Sequence, residues 1–308
     1  MEYREFADMV VKKTREMTGN EEITFREGDE KLAEDSILAV LCGDGEDRFV
    51  YRILPGELYR RYQEGSPMED ILKEITDGIR NAERLGLGEK MMETKVYEKV
   101  KGSLFVRPMN YERNRKKLQD TVYRRNGDIA LALCHKIAEE DGRLMSGYIP
   151  ASTAERWGMD EDRVFEEALE NTIRILPPRV LCFEKMLFHE DYQGDDLMDD
   201  GYELSESQKI MGICVTVALK CNGAAAVFEP GVAKRLSDLM GGDLYIAFTS
   251  IHEAMVHNAE MTDLKGIRTA VRETARDYTR EEEFLSLHIY RYSREKDRIE
   301  MVPSDGEE

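Results

Sequence analysis

The sequence lacks any long apolar run. None of its hydrophobic stretches approaches the roughly 20 residues that a membrane-spanning helix requires. The first residues, MEYREFADMVVKKTREM, start acidic and have no continuous apolar core, so they do not predict a signal peptide. We therefore expect a cytoplasmic protein that is not attached to a membrane.

Positive charge is also scarce. The 308 residues include 44 Lys and Arg against 63 Asp and Glu, which gives a formal net charge of −19. Nucleic acid and anionic lipid both require a basic footprint on the protein. Neither bulk nucleic acid nor a membrane is therefore expected as a partner, and the sequence leaves open whether the partner is a protein or a small ligand.

Cysteine is sparse, and its spacing excludes the usual redox and zinc patterns. No C-x-x-C pair is present, and most of the cysteines lie in apolar runs such as ALALCHKI and GICVTVAL. This pattern predicts buried free thiols in a reducing compartment. The five cysteines are Cys42, Cys134, Cys182, Cys214 and Cys221.

The sequence also lacks the common catalytic and cofactor-binding motifs. It has no G-x-x-x-x-G-K-[ST] phosphate loop and no G-x-S-x-G elbow. Cys134 and His135 are neighbours on a predicted strand, where adjacent side chains point apart, so they do not predict a catalytic pair. We expect no cofactor, and we favour a protein that is not an enzyme.

The pattern of elements predicts an α+β fold, with mostly antiparallel sheets and packed helices. Asn126-Gly127 and Asn222-Gly223 each predict a hairpin turn. Ser66 before Pro67, Asp160 and Thr262 are predicted helix caps, and NYERNRKKL is a predicted helix. The predicted regions are a helix/strand/helix region at 1–100, a first α+β unit at 101–188, an acidic loop or linker at 189–208, a second α+β unit at 209–303, and a tail at 304–308.

The two predicted α+β units resemble each other. Each has a strand, a basic amphipathic helix, two further strands and a second helix, over about 103–176 and 212–277. Gly127-Asp128 aligns with Gly242-Asp243 in this comparison. The pattern predicts duplicated β-α-β-β-α units.

The stretch TSIHEAMVHN, residues 249–258, resembles a zinc-protease motif but has the wrong spacing. Zinc proteases of that class place two histidines four apart on a helix. His252 and His257 are five apart, which separates them on a helix and puts them on opposite faces of a strand. We predict no metal site, and instead a strand–turn–strand corner that carries Ser250, His252 and Glu253.

A basic segment stands out in this acidic chain. Its six positive side chains lie within 13 residues, with two tyrosines beside them, and they are candidates for binding an anion such as phosphate. The alternative is a solvated helix face that balances nearby acids. The six residues are Arg113, Arg115, Lys116, Lys117, Arg124 and Arg125.

Several stretches, in fixed order, resemble the bacterial family known as domain of unknown function 5688. They include YRILPGELYRRYQEGSPMEDILKEI, NYERNRKKL, FEEALENTIRILPP, NGAAAVFEPGVAKRLSDLMGGDLYIAFTSIHEAMV and EEFLSLHIYRYSRE. The chain departs from that family at Asn222, where an aromatic residue is usual, and at FTS, where a proline usually precedes Ser-Ser. A more distant likeness is to domain of unknown function 1444. The resemblance implies an α+β fold and a bacterial cytoplasmic setting, and it carries over no catalytic residues.

Three functional hypotheses follow. The preferred one is a non-catalytic module that binds a partner or small ligand. The first alternative is a hydrolase-type enzyme with His252 as general base, Glu253 as its orienter or a metal ligand, and Ser250 nearby. The second alternative is recognition of an anion or a nucleic-acid end by segment 113–125.

Overall fold

The computed structural model describes residues 1–26, 37–42, 49–140, 142–189 and 191–303. The predicted tail lies outside these residues. The chain divides into two compact units, Met1–Lys95 and Val96–Glu308. Helices and antiparallel sheets make up both units, which confirms the α+β class.

The first unit packs helices with a three-stranded sheet of order β1-β2-β3. Its long helices are amphipathic, and α3 buries Ile71, Ile75 and Ile79, which lie four residues apart on one face. Pro67 is the N-cap of α3, so the predicted Ser66 cap is wrong by one residue. The elements are α1 (Tyr3–Thr18), β1 (Ile23–Arg26), β2 (Ile37–Cys42), β3 (Phe49–Ile53), α2 (Pro55–Gln63), α3 (Met68–Arg84) and α4 (Leu87–Glu93).

The second unit begins with a four-stranded sheet of order β4-β6-β5, in which β7 also pairs with β6. The helix α8 packs on β4, where the buried Thr172 hydroxyl accepts a hydrogen bond from the Val106 N–H at 3.1 Å. The elements are α5 (Tyr97–Val100), β4 (Leu104–Asn110), α6 (Arg115–Leu118), β5 (Tyr123–Asn126), β6 (Ile129–Glu140), β7 (Arg143–Tyr148), α7 (Ala151–Trp157) and α8 (Glu161–Ile175).

Local signals in this sheet had mixed outcomes. The hairpin at Asn126-Gly127 is confirmed, because Asn126 pairs with Ile129 and Gly127 has a φ of +59°. Asp160 caps α8 as predicted, accepting from the Arg163 N–H. The predicted helix over NYERNRKKL is mostly wrong, because β4 continues to Asn110 and its side chain then accepts from the Arg113 N–H to form a turn.

A seven-stranded sheet of order β14-β13-β11-β12-β10-β8-β9 completes the second unit. The predicted acidic loop contains β9 and the first residues of α10, so that segment contributes a strand to the sheet. Asp263 caps α12 in place of the predicted Thr262. The elements are β8 (Pro178–Leu181), α9 (Phe183–Phe188), β9 (Asp195–Asp196), α10 (Glu206–Met211), β10 (Ile213–Val217), α11 (Val232–Met240), β11 (Leu244–Phe248), β12 (Ala254–Asn258), α12 (Leu264–Asp277), β13 (Ile289–Ser293) and β14 (Arg298–Met301).

The hairpin predicted at Asn222-Gly223 is wrong. After β10 the chain makes a turn with Asn222 at a φ of 58°, and residues Gly223–Phe228 form a 3-10 helix. A Cβ on Gly223 would lie 2.4 Å from the His252 carbonyl oxygen, so only glycine fits there. The three alanines that follow are fully buried, which suits a compact helix that packs on β10.

The predicted duplication agrees with the strand order. In the four-stranded sheet the first strand pairs with the third and the third with the second, as β4-β6-β5. In the larger sheet β10, β12 and β11 have the same order. The residue alignment is wrong, however, because Gly127-Asp128 precedes the third strand of its unit and Gly242-Asp243 precedes the second.

Candidate functional site

The corner between β11 and β12 carries Ser250, His252 and Glu253, as the sequence predicted. The two strands pair antiparallel from Leu244 with Asn258 to Phe248 with Ala254. The Ser250 hydroxyl accepts a hydrogen bond from the His252 N–H at 3.0 Å, which shapes the turn. Serine beside a turn commonly makes such a bond to its own backbone.

The His252 ring is held at both nitrogens. Its Nδ1 accepts a hydrogen bond from the Asn222 N–H at 3.2 Å. Because an acceptor nitrogen carries no proton, the neutral ring has its proton on Nε2, which lies 3.5 Å from the Glu283 carboxylate. The lone pair that a general base needs is thus engaged with the Asn222 N–H. The arrangement favours a structural role for His252, in which it positions the turn at Asn222.

Glu253 contacts a different set of groups from His252. Its carboxylate accepts hydrogen bonds from the Thr249 hydroxyl at 2.9 Å and from the Cys214 thiol at 3.6 Å. Burial, and then the Glu253 charge, raise the pKa of Cys214, so this sulfur stays protonated and donates. The geometry therefore gives Glu253 two neutral donors and does not bring it to the His252 ring.

One face of the four-stranded sheet collects tyrosines and positive side chains, which cover the buried Met109, Ala130 and Ala132. Ala130 and Ala132 lie two apart on β6, so their cross-strand partners share one face. The partners are Met109 and Arg125 for Ala130, and Arg107 and Tyr123 for Ala132. We name this region the aromatic-basic surface, which comprises Arg107, Tyr111, Arg115, Lys117, Tyr123, Arg125 and Tyr148.

Cations lie over the tyrosine rings of this surface. The Lys117 ammonium is 4.3 Å from the centre of the Tyr148 ring, and Arg107 is 5.6 Å from the same ring. Arg125 and Arg115 lie over Tyr111 at 4.0 and 5.5 Å. Such stacking orders a guanidinium or ammonium group. The Arg115 guanidinium also pairs with the Glu112 carboxylate at 2.9 Å, so its N–H edge is already engaged.

Arg107 has an unusual set of partners for a half-buried guanidinium. It donates from Nε to Asn222 Oδ1 and from Nη1 to the Ser146 hydroxyl, each at 3.2 Å. Across the part of the chain that the structure describes, no carboxylate pairs with it. A positive charge that is partly removed from water and has only neutral partners attracts an anion, because the anion compensates for the lost hydration. Because Asn222 also contacts His252, this group joins the aromatic-basic surface to the corner.

The six basic candidates do not act as one group. Arg115, Lys117 and Arg125 belong to the aromatic-basic surface, and the exposed Lys116 is adjacent in sequence. Arg124 lies on the opposite sheet face, over the Phe165 ring and paired with Asp162. Arg113 lies over Phe284 at 4.0 Å and donates to the Glu281 carbonyl. Arg124 and Arg125 are separated because successive side chains of β5 point to opposite faces of the sheet. The grouping by sequence did not take this alternation into account.

A hydrogen-bond network around Asp128 was not predicted. Its carboxylate accepts from the Ser286 hydroxyl at 2.9 Å and lies 2.7 Å from the Tyr290 hydroxyl and 3.1 Å from His288 Nδ1. Burial, followed by the Asp128 charge, raises the pKa of Tyr290, so its hydroxyl remains a donor. Because the Asp128 carboxylate has a partner at each oxygen, the network is suited to joining the β5–β6 turn to β13.

The aromatic-basic surface has features that the sequence could have indicated. Arg107 interrupts the apolar strand SLFVRPM, and a single charge in such a strand is a sign of a special environment. Tyr148 gave no such signal, because its distance from Lys117 depends on the pairing of β7 with β6.

Among the described residues, no group of three or more His, Cys, Asp or Glu side chains is arranged to hold a metal ion. No helix in the described ranges is both long and apolar enough to cross a membrane.

The fold defines an α+β protein with two compact units. Comparison with known proteins places it further: the model of a family of unknown function (DUF5688) matches residues 3–294, and the chain belongs to that family. The predicted resemblance is thereby confirmed, while the more distant likeness to domain of unknown function 1444 stays a prediction. No curated protein and no solved structure matches the chain significantly.

Proposed function

We propose that this protein is a non-catalytic binding module that recognises a phosphate-bearing ligand, such as a nucleotide, through the aromatic-basic surface. The observation that carries the proposal is the half-buried Arg107, which has only neutral partners and lies beside Lys117 at Tyr148. Guanidinium and ammonium groups together are well suited to bind phosphate oxygens.

The charge distribution supports this ligand class. Lys116, Lys117 and Arg125 form no ion pair with a carboxylate among the described residues. In a chain of net charge −19, such a cluster of unpaired cations is an exception. The acidic remainder repels extended nucleic acid, so a compact ligand with few phosphates fits better than a long polymer.

Binding of ATP, measured by calorimetry at several salt concentrations, tests the proposal. We expect Lys117→Gln and Arg125→Gln each to weaken binding about ten-fold, the effect of one charge-assisted hydrogen bond. Affinity should fall as salt rises, and adenosine, which lacks phosphate, should bind weakly.

Arg124→Gln is the matched control, because Arg124 adjoins Arg125 in sequence but lies on the opposite sheet face. It should leave ATP binding unchanged. Equal losses for Arg124→Gln and Arg125→Gln, or adenosine binding as tightly as ATP, would reject the aromatic-basic surface as the site.

The hydrolase-type alternative at Ser250, His252 and Glu253 stays a prediction. The link from His252 through Asn222 to Arg107 brings the corner close to the proposed phosphate site. The engaged Nδ1 favours the binding hypothesis. ATP turnover that is lost in His252→Gln, with ATP affinity retained, would favour the enzyme instead.

We also propose a cytoplasmic setting. The five cysteines are free, and three of them, Cys42, Cys134 and Cys214, are buried. Free thiols persist in reducing compartments.

A further inference from the structure

A groove that is separate from the aromatic-basic surface lies on the outer face of the seven-stranded sheet. It has a volume of about 560 Å³ and runs between β11, β12 and the helix α12. Ala247 and Met255 line it from the sheet, Ile267 and Val271 from the helix, and Met211 from the end of α10. The volume lies in the range typical of small-molecule sites.

Strand alternation places this groove outside the core. Ala254 and Val256 of β12 are fully buried on the inner face. Met255 pairs with Cys214 on one side and Ala247 on the other, so these three side chains share the outer face. Val271 and Ile267 of α12 pack against Ala247 and bury part of this face, and the groove is the part they leave open.

The groove carries negative charge and no lysine or arginine. Its lining includes the carboxylates of Glu253 and Asp263. Asp263 accepts hydrogen bonds from two backbone N–H groups as the cap of α12. Glu253 accepts only from the neutral Thr249 hydroxyl and Cys214 thiol, and it has no cationic partner within the described ranges.

Two further polar groups line the same groove. Burial lowers the pKa of His257, so the ring adds no positive charge at neutral pH. The Thr262 hydroxyl oxygen is buried and has no hydrogen-bond partner among the described residues. An unpartnered buried hydroxyl is costly, and a polar ligand group could satisfy it.

We propose that this groove binds a small amphiphilic cation, an apolar chain or ring that carries a protonated amine. The ammonium group pairs with Glu253, and the apolar part lies on Met255 and Met211, which line the groove and are not fully buried. Complementary charge selects the amine, because an ammonium group supplies the cationic donor that Glu253 lacks. The apolar lining selects a hydrocarbon body, whose burial favours binding.

Calorimetry with octylammonium, octanol and octanoate tests this proposal, because the three probes share one chain length and differ in the head group. We expect octylammonium to bind about ten-fold more tightly than octanol, and octanoate to bind least. Glu253→Gln keeps an acceptor for Thr249 but removes the charge, so it should abolish the preference for octylammonium. Glu260→Gln, at an exposed position outside the groove lining, should retain it.

A variant that blocks the groove tests whether octylammonium binds there. Ala270 lines the groove and is exposed on α12, so Ala270→Trp can fill the groove without disturbing the core. We expect it to abolish binding of octylammonium while the melting temperature stays close to that of the parent protein.

Three results would overturn the proposal. They are unchanged octylammonium binding in Ala270→Trp, an equal affinity for octanol and octylammonium, and a concentration-dependent dimer that Ala270→Trp dissociates. The last would identify the groove as an interface between two copies of the chain.

Discussion

Arg107 on β4 donates a hydrogen bond to the side chain of Asn222, 115 residues further along the chain, at 3.2 Å. Asn222 in turn donates its backbone N–H to His252 Nδ1. One asparagine in a left-handed turn thus connects the four-stranded sheet to the β11–β12 corner. An aromatic residue at this position would remove the acceptor for Arg107.

Two substitutions of Asn222 separate the backbone role from the side-chain role. Left-handed backbone costs a residue such as alanine about 1 kcal/mol, whereas glycine adopts it readily. We expect Asn222→Ala to lower the free energy of unfolding in urea by at least that amount relative to Asn222→Gly. Both variants should weaken ATP binding, because both remove the Arg107 partner. Equal stability of the two variants would contradict the backbone role.

Asp128→Asn should destabilise the second unit by about 2–4 kcal/mol, because it leaves buried donors of the network with a poorer acceptor. The carboxylate has hydrogen-bonding groups from Ser286, His288 and Tyr290 around it. Chemical denaturation measures the effect. Asp162→Asn, at an exposed carboxylate, is the control and should change stability by well under 1 kcal/mol. If both variants change stability by a similarly small amount, the network does not stabilise the contact between the β5–β6 turn and β13.

Glu229 should make the protein less stable as the pH rises. Its side chain is 3% exposed, and neither carboxyl oxygen has a hydrogen-bond partner among the described residues. Burial raises the pKa of Glu229 well above its usual value. The folded state therefore holds a proton that the unfolded chain releases above about pH 4.5, and unfolding becomes easier as the pH rises from there toward the folded pKa.

Glu229→Gln should remove that pH dependence, because glutamine does not ionise. We expect the variant to exceed the parent protein in free energy of unfolding at about pH 8, because only the parent protein must then ionise or hold a proton at this buried position. The difference should shrink as the pH falls toward 4.5. Glu295→Gln, at an exposed position, serves as the control. Its difference from the parent protein in free energy of unfolding should not change with pH.

His135 should have the opposite pH dependence. Burial lowers its pKa to about 4, and a Cβ on the facing Gly147 would lie only 2.8 Å from its Nε2. Between pH 6.5 and 4 the unfolded chain binds a proton that the folded state does not, so stability falls as the pH falls through this range. The total effect amounts to about 3 kcal/mol at most.

His135→Gln should flatten this part of the stability profile, measured by urea denaturation at a series of pH values. The exposed His189 provides the matched control, and His189→Gln should keep the slope of the parent protein. A parent slope that persists in His135→Gln would assign the acid sensitivity to other groups.

Local sequence patterns indicate several elements correctly, for reasons visible in single elements. The spacing of Ile71, Ile75 and Ile79 is typical of a helix because these side chains share one face. Asn126-Gly127 marked a hairpin because Gly127 adopts a positive φ there. The odd spacing of His252 and His257 excluded a local metal site by geometry alone.

The same pair of residues, Asn-Gly, adopts two different structures in this chain because the surrounding packing differs. Asn222-Gly223 has the same pair of residues as Asn126-Gly127, yet it begins a buried 3-10 helix. The cause is distant in sequence, since Gly223 lies against the His252 carbonyl and the alanines pack on β10. No property of residues 222–228 by themselves specifies those contacts.

The sequence by itself determined the α+β class, the pairing of β11 with β12 at the histidine corner, and the presence of an unusual basic segment in an acidic chain. Only the tertiary structure decided which of those basic residues act together, because strand register turns Arg125 toward Tyr111 and Arg124 toward Phe165. It also decided that Arg107 and Tyr148 join them. The physical reason is that periodicity is encoded locally, whereas the neighbours of a side chain are set by strand pairing between residues far apart in the chain.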